Sequence, residues 1–250
     1  SYTTAVGYNN DATASTAAAV GRNNQATGAS SSALGYANTA GDRSTAVGYA
    51  NQATADYTIA LGYNNVASAD DSTAVGHDND ATGEQSSVFG HINTANYRSL
   101  AVGFQNEASN NYCVALGYQN DALGSTSLAI GYQNETTDVY ASAVGWKNTA
   151  GSRGSAFGVE NTASSFGLAL GANNIAAKGT AHAVGYSTFA SGYYSSAMGS
   201  YTRVGTDDTT EIGQWSSTSG REGSVRIHDN GLVALTMRSG TAPTASSATA

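Results

Sequence analysis

One short phrase recurs along the chain at a nearly constant spacing, and this repeat limits the possible folds more than any other feature. A glycine anchors each of fifteen copies, and the step to the next anchor is always 13 or 14 residues. Alanine stands two residues before this glycine in every copy but one, and a larger apolar residue stands directly before it. Such a period predicts a protein built by stacking one small structural unit.

Several repetitive architectures are incompatible with this phrase. A helix–turn–helix repeat needs more than about 30 residues. Fourteen residues equal two heptads, but each copy contains glycine, asparagine and serine or threonine, which are poor in helix interiors. The 13-residue steps would also disrupt a coiled-coil seam, and collagen needs glycine at every third position. The repeat therefore predicts an all-β fold, a parallel β-roll (β-solenoid) of about 15 coils with 13–14 residues each.

Strand alternation divides the phrase S-x-A-V-G-Y into two faces. Serine, alanine and glycine share one face, and the larger apolar residue shares the other with the aromatic one. A coil this small has no room for large side chains, so we expect the small residues inside and the apolar column outside. An outward apolar column indicates an interface, and a homotrimer would bury it symmetrically. The predicted subunit interface consists of Val6, Val20, Leu34, Val47, Leu61, Val75, Phe89, Val102, Leu116, Ile130, Val144, Phe157, Leu170, Val184 and Met198.

Asparagine stands three residues after the anchor glycine in thirteen of the copies. We expect its side-chain amide to close a turn and to stack into a hydrogen-bonded ladder. The predicted ladder residues are Asn10, Asn24, Asn38, Asn51, Asn65, Asn79, Asn93, Asn106, Asn120, Asn134, Asn148, Asn161 and Asn174.

The residue after the anchor glycine is aromatic or histidine in eleven of the fifteen copies. One interpretation is a ladder that grips a glycan by stacking against sugar faces. The other is that the rings pack in the subunit seam or stack on one another for stability. The candidate receptor-binding residues are Tyr36, Tyr49, Tyr63, Tyr118, Tyr132 and Trp146.

Composition excludes several other functions. The net charge is −8 with ten basic residues, a poor basis for binding nucleic acid. No apolar run is long enough to span a membrane. The single Cys113 is expected to be a buried, inert thiol. No P-loop, GxSxG or HExxH motif occurs, so neither catalysis nor a cofactor is predicted.

No metal site is predicted. His77 and His91 fall one coil apart in the aromatic column, but no carboxylate or cysteine recurs beside them. The segment that starts at Asp78 resembles the beginning of a calcium loop, but Phe89 stands where an EF-hand requires glutamate.

Two regions are predicted, a β-roll repeat domain over residues 1–205 and a C-terminal cap or junction over 206–250. Within the second region, two apolar segments flank Asp229-Asn230-Gly231, which predicts a β-hairpin. The remaining alanine-, serine- and threonine-rich tail is expected to be a linker or the start of a further module. Because the chain starts in the middle of a repeat phrase, we expect it to be a processed product or a fragment.

The phrase S-x-A-[VLI]-G-x-x-N-x-A resembles the head repeat of trimeric autotransporter adhesins of the YadA type, over roughly residues 1–204. The resemblance implies a left-handed parallel β-roll, an obligate trimer, intertwined or side by side, and an extracellular adhesive role. The C-terminal region is instead similar to the region between repeats and tip in bacteriophage tail fibres. A virion tail fibre is therefore the first functional hypothesis, with virion proteins and a host-cell glycan or protein receptor as partners. A bacterial surface adhesin is the second, and a polysaccharide-degrading tailspike is the third.

Overall fold

A computed structural model of the protein describes residues 2–215, 221–228 and 233–239. These residues form β-strands and turns, without a helix. The chain divides into two compact units, residues 1–132 and 133–250. The predicted boundary after residue 205 stays a prediction.

The first unit alternates strands of five and two residues. Each pair forms one coil of a parallel β-solenoid. The five-residue strands are β1 (Thr4–Tyr8), β3 (Ala18–Arg22), β5 (Ser32–Tyr36), β7 (Thr45–Tyr49), β9 (Ile59–Tyr63), β11 (Thr73–His77), β13 (Ser87–His91), β15 (Leu100–Phe104), β17 (Val114–Tyr118) and β19 (Leu128–Tyr132). The two-residue strands are β2 (Asp11–Ala12), β4 (Gln25–Ala26), β6 (Thr39–Ala40), β8 (Gln52–Ala53), β10 (Val66–Ala67), β12 (Asp80–Ala81), β14 (Thr94–Ala95), β16 (Glu107–Ala108) and β18 (Asp121–Ala122).

The second unit continues the same alternation and then changes. Its two-residue strands are β20 (Glu135–Thr136), β22 (Thr149–Ala150), β24 (Thr162–Ala163), β26 (Ile175–Ala176), β28 (Phe189–Ala190) and β30 (Arg203–Val204). Its five-residue strands are β21 (Ser142–Trp146), β23 (Ser155–Val159), β25 (Leu168–Ala172), β27 (His182–Tyr186) and β29 (Ser196–Ser200). Three longer strands follow, namely β31 (Thr209–Trp215), β32 (Arg221–His228) and β33 (Val233–Ser239).

Within each unit, the strands of successive coils pair in parallel with their equivalents, so equivalent residues lie side by side. Val47 lies beside Leu61, for example, and Gly48 lies beside Gly62. The shorter strands pair in the same way, with Ala53 beside Ala67. The predicted all-β parallel solenoid of about fifteen coils with repeats of about 14 residues is therefore confirmed.

The pairing changes after the last coil. Strand β31 is parallel to β29 but antiparallel to β32, and β32 is antiparallel to β33. The predicted antiparallel pair is therefore present, while its turn, including Asp229-Asn230-Gly231, lies outside the described residues.

The interior of the coils consists mainly of alanine, serine, threonine and asparagine side chains, with valine only at Val88 and Val204 among the described residues. Ser44, Ala46, Asn51 and Ala53 of one coil are all fully buried, and the same positions are buried in most other coils. Cys113 occupies the serine position in its coil and is also buried. The anchor glycine is different: Gly48 is only half-buried and Gly62 is exposed, although alternation predicted an interior position.

The backbone conformation and the close packing of the coils require glycine at the anchor position. The φ angles of the anchor glycines lie between 114° and 133°, a region that other residues rarely adopt. A Cβ on Gly48 would also lie 2.0 Å from the carbonyl oxygen of Gly62. The close approach of these backbones brings the glycine carbonyl within reach of a buried asparagine.

The buried asparagines form a ladder along each unit. In one coil, the Asn51 Nδ2 group donates to Val47 O at 3.0 Å and to Gly62 O at 2.7 Å. The same group donates to Asn38 Oδ1 at 3.0 Å. Its own Oδ1 accepts from both the backbone and the side-chain nitrogen of Asn65, at 3.1 and 2.9 Å. One side chain thus satisfies polar groups in three successive coils.

Removal of one ladder side chain should strongly destabilise the solenoid. Asn51→Ala leaves several buried polar groups with fewer partners, and we expect it to lower the free energy of unfolding by roughly 2–4 kcal/mol. Asn51→Thr should cost less, since Thr188 occupies this position naturally and donates to Asn174 Oδ1 at 2.7 Å. Chemical denaturation followed by circular dichroism measures both.

The control for this prediction is Gln52→Ala in the same coil. Gln52 is exposed, so its loss should change stability by no more than about 0.5 kcal/mol. Equal effects of Asn51→Ala and Gln52→Ala would contradict a stabilising role for the ladder.

Candidate functional site

The predicted interface column lies on the outer face of the five-residue strands. Most of its members are half-buried, because each packs against its equivalents in neighbouring coils. Three remain more exposed, with exposed fractions of 55% for Val6, 39% for Phe89 and 44% for Leu170. The whole column comprises Val6, Val20, Leu34, Val47, Leu61, Val75, Phe89, Val102, Leu116, Ile130, Val144, Phe157, Leu170, Val184 and Met198.

A second column on the same face was not singled out from the sequence. It consists of the residue two positions before each interface residue, which alternation places on the same side of the strand. In coils from the first unit this position is held by Leu100, Val114 and Leu128, beside Val102, Leu116 and Ile130. In most other coils this position is serine or threonine, for example Thr45, so the apolar face is broader only in part of the repeat. The alternation of side chains along a strand could have predicted that this position lies on the outer face.

The aromatic column borders this apolar face, and its rings stack from coil to coil. Tyr36, Tyr49 and Tyr63 form one run, with ring centroids 4.9 Å apart and planes inclined by 13° and 6°. A second run contains Phe104, Tyr118 and Tyr132, whose centroids lie 5.1 and 4.9 Å apart.

These stacked rings remain partly exposed to solvent. The exposed fraction is 36% for Tyr36, 46% for Tyr49 and 48% for Tyr63. Tyr118, Tyr132 and Trp146 are exposed to a similar degree, between 36% and 40%. The rings therefore stack on one another, as one interpretation of the sequence expected. They also keep accessible surface, which the glycan-binding interpretation requires.

Positive charge lies next to the column in both units. The guanidinium of Arg22 lies 5.4 Å from the centre of the Tyr8 ring and 5.8 Å from that of Tyr36. In the second unit, the Lys147 ammonium lies 4.5 Å from the Trp146 ring. Such cation–π contacts add a positive edge to an otherwise uncharged aromatic surface.

In some coils the other turn carries a further cluster of aromatic and cationic residues, which sequence reasoning missed. The Arg43 guanidinium lies 4.9 Å from the Tyr57 ring. Arg98 lies over Tyr97 at 4.9 Å and donates to the Tyr112 hydroxyl at 3.0 Å. The residue type at this turn varies from coil to coil, so the sequence shows no recurring residue there that would predict the cluster.

A few titratable groups depart from their ordinary behaviour. The hydrogen bond to Tyr112 raises the pKa of the exposed Arg98 guanidinium, which stays charged. A hydrogen bond with Tyr186 raises the pKa of the Tyr201 hydroxyl. Burial raises the pKa of the Asp80 carboxyl, whose Oδ1 atom is buried without a hydrogen-bond partner. The three groups lie in different coils and do not form an acid–base pair.

Comparison with known proteins identifies the repeat. A family model described as "YadA head domain repeat (2 copies)" matches residues 40–65, 53–79, 67–91, 95–120, 122–148 and 181–202, just over half of the chain. No curated protein matches the sequence. Within the described residues, no helix is long and apolar enough to cross a membrane.

Proposed function

Because the chain belongs to the YadA head-repeat family, we propose that it acts as a homotrimeric, extracellular adhesive fibre. The observation that carries this proposal is the outer face of the coils, where an apolar surface runs beside stacked, accessible aromatic rings. The interior contains mainly alanine, serine and asparagine, so most of the larger side chains lie on the outer surface, where a partner can contact them.

The apolar face supports self-association. Val47, Leu61 and Val75 are half-buried in the single chain and follow one another in register along the strands. Burial of apolar surface contributes about 25 cal/mol per Å², and a repeated column sums this contribution over many coils. Three chains around one axis would each present the same face, as closed symmetry requires.

A charge placed in this face should prevent assembly. We expect Val47→Asp to convert a trimer into monomers or unstable chains, because each trimer would bury three unpaired carboxylates. Light scattering on the purified protein measures the change in mass.

The matched control is Gln52→Asp, which adds the same charge to the same coil on the short strand. Aspartate occurs naturally at this position in other coils, for example Asp121, so this variant should remain trimeric. A well-folded monomeric wild type, or equal masses for both variants, would overturn the trimer proposal.

The aromatic column is the proposed attachment surface. The exposed parts of the stacked tyrosine rings combine apolar carbon with hydroxyl groups, a combination suited to contacts with sugar rings. One such contact is weak, but the column repeats it along the chain, and trimerisation would multiply it further. We therefore infer a host-cell glycan, or a glycosylated protein, as the receptor.

Loss of one stacked run should reduce attachment without changing assembly. We expect the triple variant Tyr36→Ser, Tyr49→Ser, Tyr63→Ser to bind a glycan array or intact cells at least about tenfold more weakly, because several avidity-linked contacts disappear together. Serine is tolerated at this position, as Ser200 shows. Light scattering should report an unchanged mass.

Tyr57→Ser provides the control for attachment. Tyr57 is 54% exposed but lies on the other turn of the coil, so binding should be retained. Unchanged binding by the triple variant would exclude the aromatic column as the receptor surface.

Among adhesive fibres, we propose a bacteriophage tail fibre, with other virion proteins as partners. What supports this choice is the segment that directly follows the repeats, where β31, β32 and β33 form antiparallel pairs. An autotransporter head would be expected to continue into a neck and a coiled coil. A bacterial surface adhesin is the alternative.

The location of the protein distinguishes a phage tail fibre from a bacterial surface adhesin. With an antibody to this chain, immunogold electron microscopy of the source material should place gold on the tails or appendages of phage particles. Gold on bacterial envelopes instead would overturn the tail-fibre assignment and identify a cell-surface adhesin.

A further inference from the structure

Two consecutive coils carry histidine where the neighbouring coils carry tyrosine or phenylalanine. His77 ends β11 and His91 ends β13, and the two residues are directly paired in the parallel register. Their rings stack with centroids 4.5 Å apart and planes inclined by 16°. The register therefore brings two potential nitrogen ligands together on the outer surface.

A carboxylate completes this group. Asp78 follows His77 in a left-handed turn with φ of 53°, and this turn directs its Oδ2 atom to 3.3 Å from His77 Nε2. The other carboxylate oxygen accepts a hydrogen bond from Asn64 Nδ2 at 2.6 Å. Potential ligand atoms of His77, Asp78 and His91 all lie within 4.8 Å of one another. The sequence did not predict this group, because the carboxylate occurs beside His77 but is absent beside His91, where Ile92 stands.

We propose that His77, Asp78 and His91 bind a divalent transition-metal ion, with Zn²⁺ as the representative ion. Two imidazoles and one carboxylate suit zinc, copper or nickel, whereas calcium and magnesium prefer oxygen ligands throughout. The hydrogen bond from Asn64 orients the carboxylate, as groups around a metal site commonly do.

The side chains need only a modest adjustment to reach a metal. Zinc ligands lie about 2.0–2.2 Å from the ion, so tetrahedral ligand atoms are about 3.4 Å apart. The side chains of His77 and Asp78 are 48% and 36% exposed, which leaves room for rotation. Rotation of the imidazoles from their parallel stack would direct both nitrogen lone pairs towards one ion. Three protein ligands leave a fourth position for water or a partner group.

Such an ion would connect two consecutive coils. His77 and Asp78 belong to one coil and His91 to the next, so the ion would bridge them through side chains in addition to the backbone ladder. An ion that binds the folded state better than the unfolded state stabilises it by mass action. This role does not depend on the proposed adhesive function.

Titration with Zn²⁺ by calorimetry, and with Co²⁺ by visible absorption, tests the site on the intact chain. We expect one ion per chain and a Co²⁺ spectrum of low coordination number. Each of His77→Tyr, Asp78→Asn and His91→Phe should weaken binding at least about tenfold. These replacements occur naturally at equivalent positions, as Tyr63, Asn64 and Phe104, so they should preserve the fold.

His182→Phe is the matched control, because His182 lies outside this group and its loss should leave binding unchanged. A measurement on the wild type alone adds an independent check: Zn²⁺ should protect His77 and His91, but not His182, from diethyl pyrocarbonate. Absence of Zn²⁺ and Co²⁺ binding, undiminished binding by the three variants, or binding without this protection would overturn the proposal.

Discussion

The hydrogen bonds between buried asparagines and glycine carbonyls are the interaction on which the rest of the solenoid depends. Gly48 adopts a φ angle of 123° and approaches Gly62 so closely that a Cβ could not fit. This approach allows Asn51 Nδ2 to reach Gly62 O at 2.7 Å. The glycine and asparagine columns are therefore one structural device. The glycine could not change alone without a clash, and the asparagine could not become an apolar residue without leaving buried polar groups unsatisfied.

The small size of the coil determines where function can reside. Alanine methyls bury little apolar area, so a large part of the stabilisation must come from hydrogen bonds between coils and from contacts on the outer face. Val47, Tyr49 and most of their equivalents instead lie in columns on the outer surface. The small size of the coil keeps large side chains out of the core, and those side chains form an apolar face beside an aromatic one on the surface. The proposed assembly and attachment both follow from that constraint.

The sequence predicted the strand pattern but missed several side-chain clusters that vary between coils. The period, the alternation around Ala46 and Val47, and the antiparallel strands at the end are all visible as patterns. The cluster of Arg98 with Tyr97 and Tyr112, by contrast, depends on turn positions whose residues vary between coils. Local preference would not predict a left-handed backbone for residues such as Ile92, with φ of 56°. Neighbouring coils impose that conformation, because each turn is hydrogen-bonded to the equivalent turn of the next coil.

This separation between fixed and variable positions explains how one coil can acquire a distinct role. The hydrogen bonds that define each coil come from the backbone and from columns such as Asn79 and Asn93. The side chains of His77, Asp78 and His91 point outward and take no part in that ladder. A repeat protein is held together by contacts between nearest neighbours, so changes at these outward positions stay local. A metal-binding pair of coils could therefore arise within the aromatic column without altering the strands, the core or the apolar face on either side.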